Sequence, residues 1–285
     1  MTTNAPPIVD THVHLWDPTR LRYSWLDGVA SLNRPFLPAD FAAASANANV
    51  IKIIFVEASC EPNQGLAEVD WVSGLAKTES RLRGIVAHAS LENGLAVESE
   101  LAALATRPLV KGVRRLLQGE TDPNFLRQPK FVAGVKLLAK FGFTFDLCIR
   151  QHQLRAATQL VRTTPEVNFV LDHFGKPDVR GKQTEPWATE LKELAALPNV
   201  ICKLSGLTTE ADLEHWQSDD LKFYFARTLE FFGYERVLFG SDWPVSTLAT
   251  TYQRWVETVR EMVSSASLAD QAKLFHANAE RIYRI

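Results

Sequence analysis

The residues with the most chemistry to offer are two histidines near the start, in Ile8-Val9-Asp10-Thr11-His12-Val13-His14-Leu15-Trp16. The stretch reads as a first β-strand, and in a strand residues two apart point to the same side. His12 and His14 therefore present two imidazoles to one place. Imidazole ligates metals, and near neutral pH it also moves protons or polarises a carbonyl. A His-x-His pair alone is more often two unrelated loop histidines. Its weight here comes from the rest of the chain, which repeatedly sets a polar residue at the end of an apolar run.

Those runs lie at 50–56, 82–87, 109–117, 143–149, 167–171, 200–204 and 236–240. They are short, apolar and rich in β-branched residues, as buried parallel strands are. Helical patterns separate them at 63–78, 95–105, 131–141, 153–162, 187–197 and 213–232, and helices at 251–263 and 268–283 close the chain. With the first strand this makes eight strand-helix units of about thirty residues each. The pattern predicts a (β/α)8 TIM-type barrel, one domain over 1–285. A doubly wound sheet would carry a Gly-rich phosphate turn after its first strand, where this chain has His-Val-His-Leu-Trp.

The polar strand ends are His14, Glu57, His88, Arg114, His152, His173, Ser205 and Asp242. In a barrel these ends share one pocket. Glu57 ends a very apolar strand, and burying it without a partner would be costly, which favours a site role. Arg114 and Arg115 alternate, so one faces the pocket and one the helices. His88 and His152 are expected on the pocket wall beside Glu57 and Arg114. His215 and His276 fall on helices and read as structural or exposed. Asp242 also suits an ordinary turn role, but the eight-strand phase brings it and His173 to His12 and His14. The segment 17–40 holds Tyr23, Trp25 and three prolines without periodicity; it is either a lid or a loop packed over the first strand.

Composition narrows the partners. Hydrophobic residues make up 46%, charged residues 22%, and the formal net charge is -2. A sizeable core can be buried, and neither nucleic acid nor an anionic membrane is expected as partner. Cys60, Cys148 and Cys202 lie far apart without metal-type spacing, which points to a reducing, cytoplasmic compartment. Residues 1–7 lack a signal-peptide pattern, and no apolar run reaches the ~18 residues of a membrane helix.

Three motifs carry a resemblance. Val9-Asp10-Thr11-His12-Val13-His14, Leu171-Asp172-His173-Phe174-Gly175-Lys176-Pro177 and Gly240-Ser241-Asp242-Trp243-Pro244 resemble the amidohydrolase superfamily. More narrowly they resemble its lactonase branch of sugar-lactone and pyrone-dicarboxylate lactonases, over nearly the whole chain. The resemblance implies a (β/α)8 barrel, hydrolysis of a cyclic ester, and Asp242 as the base that activates water. Some members of the branch use one divalent ion and some none, so one dispensable ion, zinc first, and no organic cofactor are expected. Strand four offers Lys111 at its start and Arg114 near its end, not a bridging lysine, so a binuclear centre is not expected.

Strand eight neighbours strand one in a closed barrel, which places Asp242 between His12 and His14 as the metal set. His173 completes the carbonyl-polarising side, and Arg114 suits a substrate carboxylate or a diol. The expected activity is opening of a sugar-acid lactone, with a small-molecule lactone as partner and the oligomeric state open. The alternatives are a pyrone-dicarboxylate lactonase, a metal-dependent decarboxylase of an unsaturated acid, and a barrel that binds a sugar acid without turnover.

Overall fold

Eight parallel strands form one sheet in chain order, in a computed structural model that describes residues 5–285. They are β1 (Ile8–Val13), β2 (Val50–Val56), β3 (Leu82–His88), β4 (Val110–Arg114), β5 (Thr144–Leu147), β6 (Phe169–Leu171), β7 (Val200–Leu204) and β8 (Val237–Phe239). The sheet closes on itself. Val13 bridges Trp243 in parallel, His14 N donates to Trp243 O at 2.7 Å, and Asp242 N donates to His12 O at 2.9 Å. The helices between strands are α1 (Pro38–Ala44), α2 (Gly65–Leu75), α3 (Glu98–Ala105), α4 (Pro129–Phe141), α5 (Leu154–Thr163), α6 (Trp187–Ala195) and α7 (Ser218–Phe232). After β8 come α8 (Tyr252–Met262), α9 (Leu268–Ala272) and α10 (Asn278–Tyr283), the last two joined by a π-turn. This is the expected (β/α)8 barrel. The reading of residues 1–7 falls partly outside the described residues. Among those, no helix is long and apolar enough to cross a membrane.

Element ends differ from the sequence pattern where side chains cap the backbone. The helix expected from 213 starts at Ser218, because the Asp212 carboxylate accepts from the backbone N–H of Glu214 and His215 and holds a turn there. The fourth strand stops at Arg114, and Arg115 points outward to Glu92 and Glu120 at 3.0 and 2.6 Å.

Inside the barrel, Val9, Ile54, Val56, Val86, Val170, Ile201 and Leu238 pack as an apolar layer, stoppered by Ala279 and Tyr283 of α10. Strict alternation from Val9 would turn His12 outward. Between Asp10 and Val13, however, β1 holds one more residue than β2: Asp10 pairs with Ile53 and Val13 with Phe55. Such a bulge re-aims the side chains beyond it. Val13 joins the outer core, and His12 and His14 face the barrel axis with ring centroids 4.9 Å apart. The buried Asp10 carboxylate holds the bulge. Its Oδ1 accepts from His12 N and Ser241 N at 3.1 and 2.9 Å, and its Oδ2 from the Tyr252 hydroxyl at 2.9 Å.

The segment 17–40 packs over the first strand and sends one side chain to the barrel mouth. Trp16 bridges Phe36, and Tyr23, Leu26 and Leu32 are buried, so it packs over the first strand. Trp25 meanwhile donates Nε1–H to Ala58 O at 2.8 Å and stands at the barrel mouth. Glu68 of α2 ties this segment to the β2 loop. Its Oε1 accepts from the Tyr23 hydroxyl at 3.1 Å and from Ala58 N at 3.3 Å, while Oε2 has no partner. Burial, aided by the nearby Glu57 charge, pushes the Glu68 carboxyl up to about 8.

A carboxyl raised in the folded state stabilises the fold below its unfolded pKa and loses that contribution as pH rises through the folded value. The wild-type protein should therefore lose stability from this group between pH about 4.5 and about 8. Glu68→Gln should flatten that slope, on the order of 1.4 kcal/mol per pH unit, and leave the variant the more stable at pH 9. Denaturant unfolding across pH checks this; parallel curves for the two proteins would refute it.

Candidate active site

Three imidazoles converge on one carboxylate oxygen. Asp242 Oδ1 lies 3.4 Å from His14 Nε2, 3.6 Å from His12 Nε2 and 3.9 Å from His173 Nε2. Strand-end backbone puts them there. His173 and Asp242 both sit in the left-handed region, φ 54° and 60°, at a cost of about 1–3 kcal/mol each that the surrounding packing must offset. Two glycines leave the necessary room. A Cβ at Gly240 would come within 2.9 Å of His12 Cβ, and one at Gly206 within 2.5 Å of His173 Nδ1.

The other ring nitrogens fix where the protons are. His14 Nδ1 faces Val56 O at 2.8 Å, and a carbonyl only accepts, so Nδ1 carries the proton. His12 Nδ1 faces both Asp172 Oδ1 at 3.3 Å and Lys203 Nζ at 3.4 Å, while its Nε2 faces the Arg114 Nη1 donor at 3.4 Å, which places the proton on Nδ1. His173 Nδ1 meets Ser205 Oγ at 2.9 Å. The Nε2 lone pairs of His12 and His14 thus point at a carboxylate oxygen. Burial pushes the imidazoles toward the neutral form: His12 falls well below its usual range, and His173 falls to about 4 despite Asp242 and Asp172 beside it. Burial works against the Asp242 charge, and the carboxyl is held below the ordinary range only with a proton or a cation between it and the facing Nε2 atoms.

Beneath the imidazoles lies a charged layer. Lys203 of β7 pairs with Asp146 of β5 and reaches Asp172 Oδ1 at 3.2 Å. Arg114 Nη1 lies 3.5 Å from Asp172 Oδ2, its Nε donates to Glu57 Oε1 at 2.6 Å, and its Nη2 donates to Glu57 O at 2.6 Å. Burial opposes both charges of these pairs. The partners win at Asp172, which is held well below the carboxylate range by Lys203 and His12, and at Lys203, which Asp146 and Asp172 hold above its usual value.

Above the imidazoles is a pocket of about 210 Å³ whose wall includes His14, Arg114, His173, Asp242, Lys176 and Trp25. By volume it holds about seven waters, room for a single small ring. A larger groove of about 690 Å³ between α4 and α5 contains no histidine or carboxylate and offers no comparable chemistry.

The site residues expected from sequence divide accordingly. His12, His14, His173 and Asp242 come together, and Arg114 reaches the wall. Three of its five donors already face Glu57 and Asp172. Glu57 stands behind Arg114, where it also accepts from Ser59 N at 2.7 Å. His88 packs against Gly65 away from the pocket, with Nε2 unpartnered. His152 is exposed on the turn after β5, because the chain leaves the strand before reaching it. Glu57, His88 and His152 are not on the pocket wall, which Lys176, Trp25 and Ser59 help to form. Asp146, Asp172 and Lys203 escaped the sequence reading, although a charge inside an apolar strand is a signal that it needs a partner.

A divalent ion fits these residues. Ligand atoms of His12, His173 and Asp242 all lie within 4.8 Å of one another, and His14 Nε2 adds a fourth donor against Asp242. Lone pairs facing a carboxylate oxygen need a cation or a proton between them, and the acceptors on Nδ1 orient the rings as metal-binding histidines are oriented. Of the expected His12, His14 and Asp242, the group within 4.8 Å holds His12 and Asp242 with His173, and His14 lies 3.4 Å from Asp242 Oδ1 outside that group. Arg114 Nη1, 3.4 Å from His12 Nε2, competes for that lone pair and limits affinity.

Removing one member of the deepest pair should be far worse than removing both. Lys203→Met should destabilise by about 3–5 kcal/mol, because Asp146 is left buried and unpaired. Lys203→Met with Asp146→Leu should regain most of that in urea unfolding, and equal losses in the single and double variants would contradict the assignment.

Comparison with known proteins agrees with fold and motifs. The chain is 30% identical over 289 residues to an L-fucono-1,5-lactonase of Burkholderia multivorans, covering 97% of this chain and 96% of that one. It is 26% identical over 218 residues to an L-rhamnono-gamma-lactonase of Scheffersomyces stipitis, covering 66% and 65%. A crystal structure of an amidohydrolase from Burkholderia multivorans with bound zinc superposes with a TM-score of 0.87 at 31% identity, over 98% of this chain and 99% of that one. The amidohydrolase family model matches residues 9–285, and the chain belongs to that family.

Proposed function

We propose that this protein opens a sugar-acid lactone by attack of water on the ring ester carbonyl, with Asp242 as general base. The observation that carries the reading is the Asp242 carboxylate on a pocket wall, ringed by three imidazole Nε2 atoms. Relatives named as lactonases of fuconic and rhamnonic acids support the substrate class.

The residues divide the work as follows. Asp242 takes a proton from water, and the hydroxide so formed adds to the carbonyl carbon. His173, whose Nδ1 can accept from the Ser205 hydroxyl and leave a proton on Nε2, stands where negative charge develops on the carbonyl oxygen. The ring C–O bond then breaks, and Asp242 returns its proton to the leaving alkoxide, which stays tethered to the product. A lactone carbonyl is more electrophilic than an amide, so a weak base suffices. His12, His14, His173 and Asp242 would hold one divalent ion, zinc first, which supplies Lewis-acid polarisation of the carbonyl when bound. Three buried, unpaired cysteines fit a reducing, cytoplasmic setting.

A panel of aldono- and aldarolactones followed with a pH indicator tests the activity. At least one should open well above the buffer rate, and a folded protein that opens none contradicts the reading. Asp242→Asn should lose about 10²–10⁴-fold in kcat, more than chelator-treated wild type loses, because chelation leaves the Asp242 carboxylate in place. An unaffected Asp242→Asn variant alongside an inactive chelated wild type would reverse the roles.

A further inference from the structure

Two cations reach the pocket wall, Arg114 and Lys176. Arg114 is satisfied from behind by Glu57 and Asp172. Lys176 sits in the turn after His173 with a left-handed backbone, φ 50°, and its side chain is only 14% exposed. Its ammonium lies 3.3 Å from Glu210 Oε1, on the turn after β7. Glu210 is itself 16% exposed, and its further contact is the Arg150 guanidinium at 3.9 Å, half-exposed at the surface. So both cations facing the pocket already have a carboxylate.

The wider count agrees. The wall and the layer beneath it hold three cations, Arg114, Lys176 and Lys203, and five carboxylates, Glu57, Asp146, Asp172, Asp242 and Glu210. The excess is two negative charges, lowered to one by the half-exposed Arg150 that shares Glu210. No positive charge is left for a carboxylate on the substrate. Trp25, Ala58 and Leu116 make much of the remaining wall apolar.

Resting on the lactonase reading, we propose that Lys176, neutralised by Glu210, makes this pocket select uncharged, hydroxylated lactones over lactones that bear a carboxylate. Lys176 has three N–H donors. Glu210 takes one, and the ammonium contacts a substrate hydroxyl with the rest. Glu210 is then the specificity residue, and it acts through Lys176 without touching the reacting atoms.

The experiment uses two lactones with the same ring, one ending in a hydroxymethyl group and one in a carboxylate. Wild type should favour the neutral lactone in kcat/KM by about 100-fold, the scale of an uncompensated charge at a contact. Glu210→Gln frees Lys176, and that preference should narrow by about tenfold or more, through a lower KM for the carboxylate lactone with little change in its kcat. Lys176→Gln provides a second reading should Glu210→Gln fold poorly: the preference should widen, with KM for the neutral lactone rising less than in Lys176→Met. A wild type that opens the carboxylate lactone as readily as the neutral one overturns the proposal while leaving the lactonase reading intact. So does a preference unchanged in both Glu210→Gln and Lys176→Gln. If neither lactone opens, the lactonase reading itself fails, and this inference with it.

Discussion

The Asp172 carboxylate joins three strands that have no backbone contact with one another. It faces His12 Nδ1 of β1 at 3.3 Å, Arg114 Nη1 of β4 at 3.5 Å and Lys203 Nζ of β7 at 3.2 Å. Burying these charges is expensive, and an apolar replacement of similar shape would often be as stable. What the network contributes is orientation. A carboxylate on Nδ1 leaves the His12 Nε2 lone pair free, and Nε2 is the atom that faces Asp242. The same device recurs at His14 with Val56 O. The barrel thus spends stability below the site to fix proton positions at the site.

Barrel closure makes the second contribution. The β1–β8 seam is short: one bridge at Val13 and Trp243, and backbone bonds at His14 and Asp242. Those residues are, or adjoin, the ones that do the chemistry. The Asp10 bulge and the left-handed Asp242 therefore act together. The first turns His12 and His14 inward, and the second carries a carboxylate across the seam to meet them. Were the strand regular, the inward phase at Val9 would leave His12 among the helices.

The barrel and its strand order were legible because parallel strands covered on both faces read as apolar runs, each ending in a polar residue. His14, His173 and Asp242 were legible as strand ends in that phase and His12 as sharing a face with His14, but the face they share is set by the bulge. The bulge was not legible, since one extra residue leaves no trace in composition. Lys203 and Asp146 sit in the middle of apolar strands, and a reading that looks at strand ends passes over them. Arg114 was placed on the wall, but its pairing was not legible, because its partner Glu57 comes from a strand two away and pairing across a barrel is not written along the chain. His152 was placed by counting a few residues past its strand, where the backbone has already turned outward.

The central claim is that Nδ1, and not Nε2, carries the proton on His12 and His14, so that two lone pairs face the Asp242 carboxylate. Nitrogen-15 NMR of histidine-labelled, metal-free protein at neutral pH reads this directly, with the two signals assigned by single substitutions. The account predicts neutral imidazoles with protonated Nδ1 and unprotonated Nε2 at both residues. A proton on Nε2 at either, donated to Asp242, would contradict it and remove the basis for the metal site.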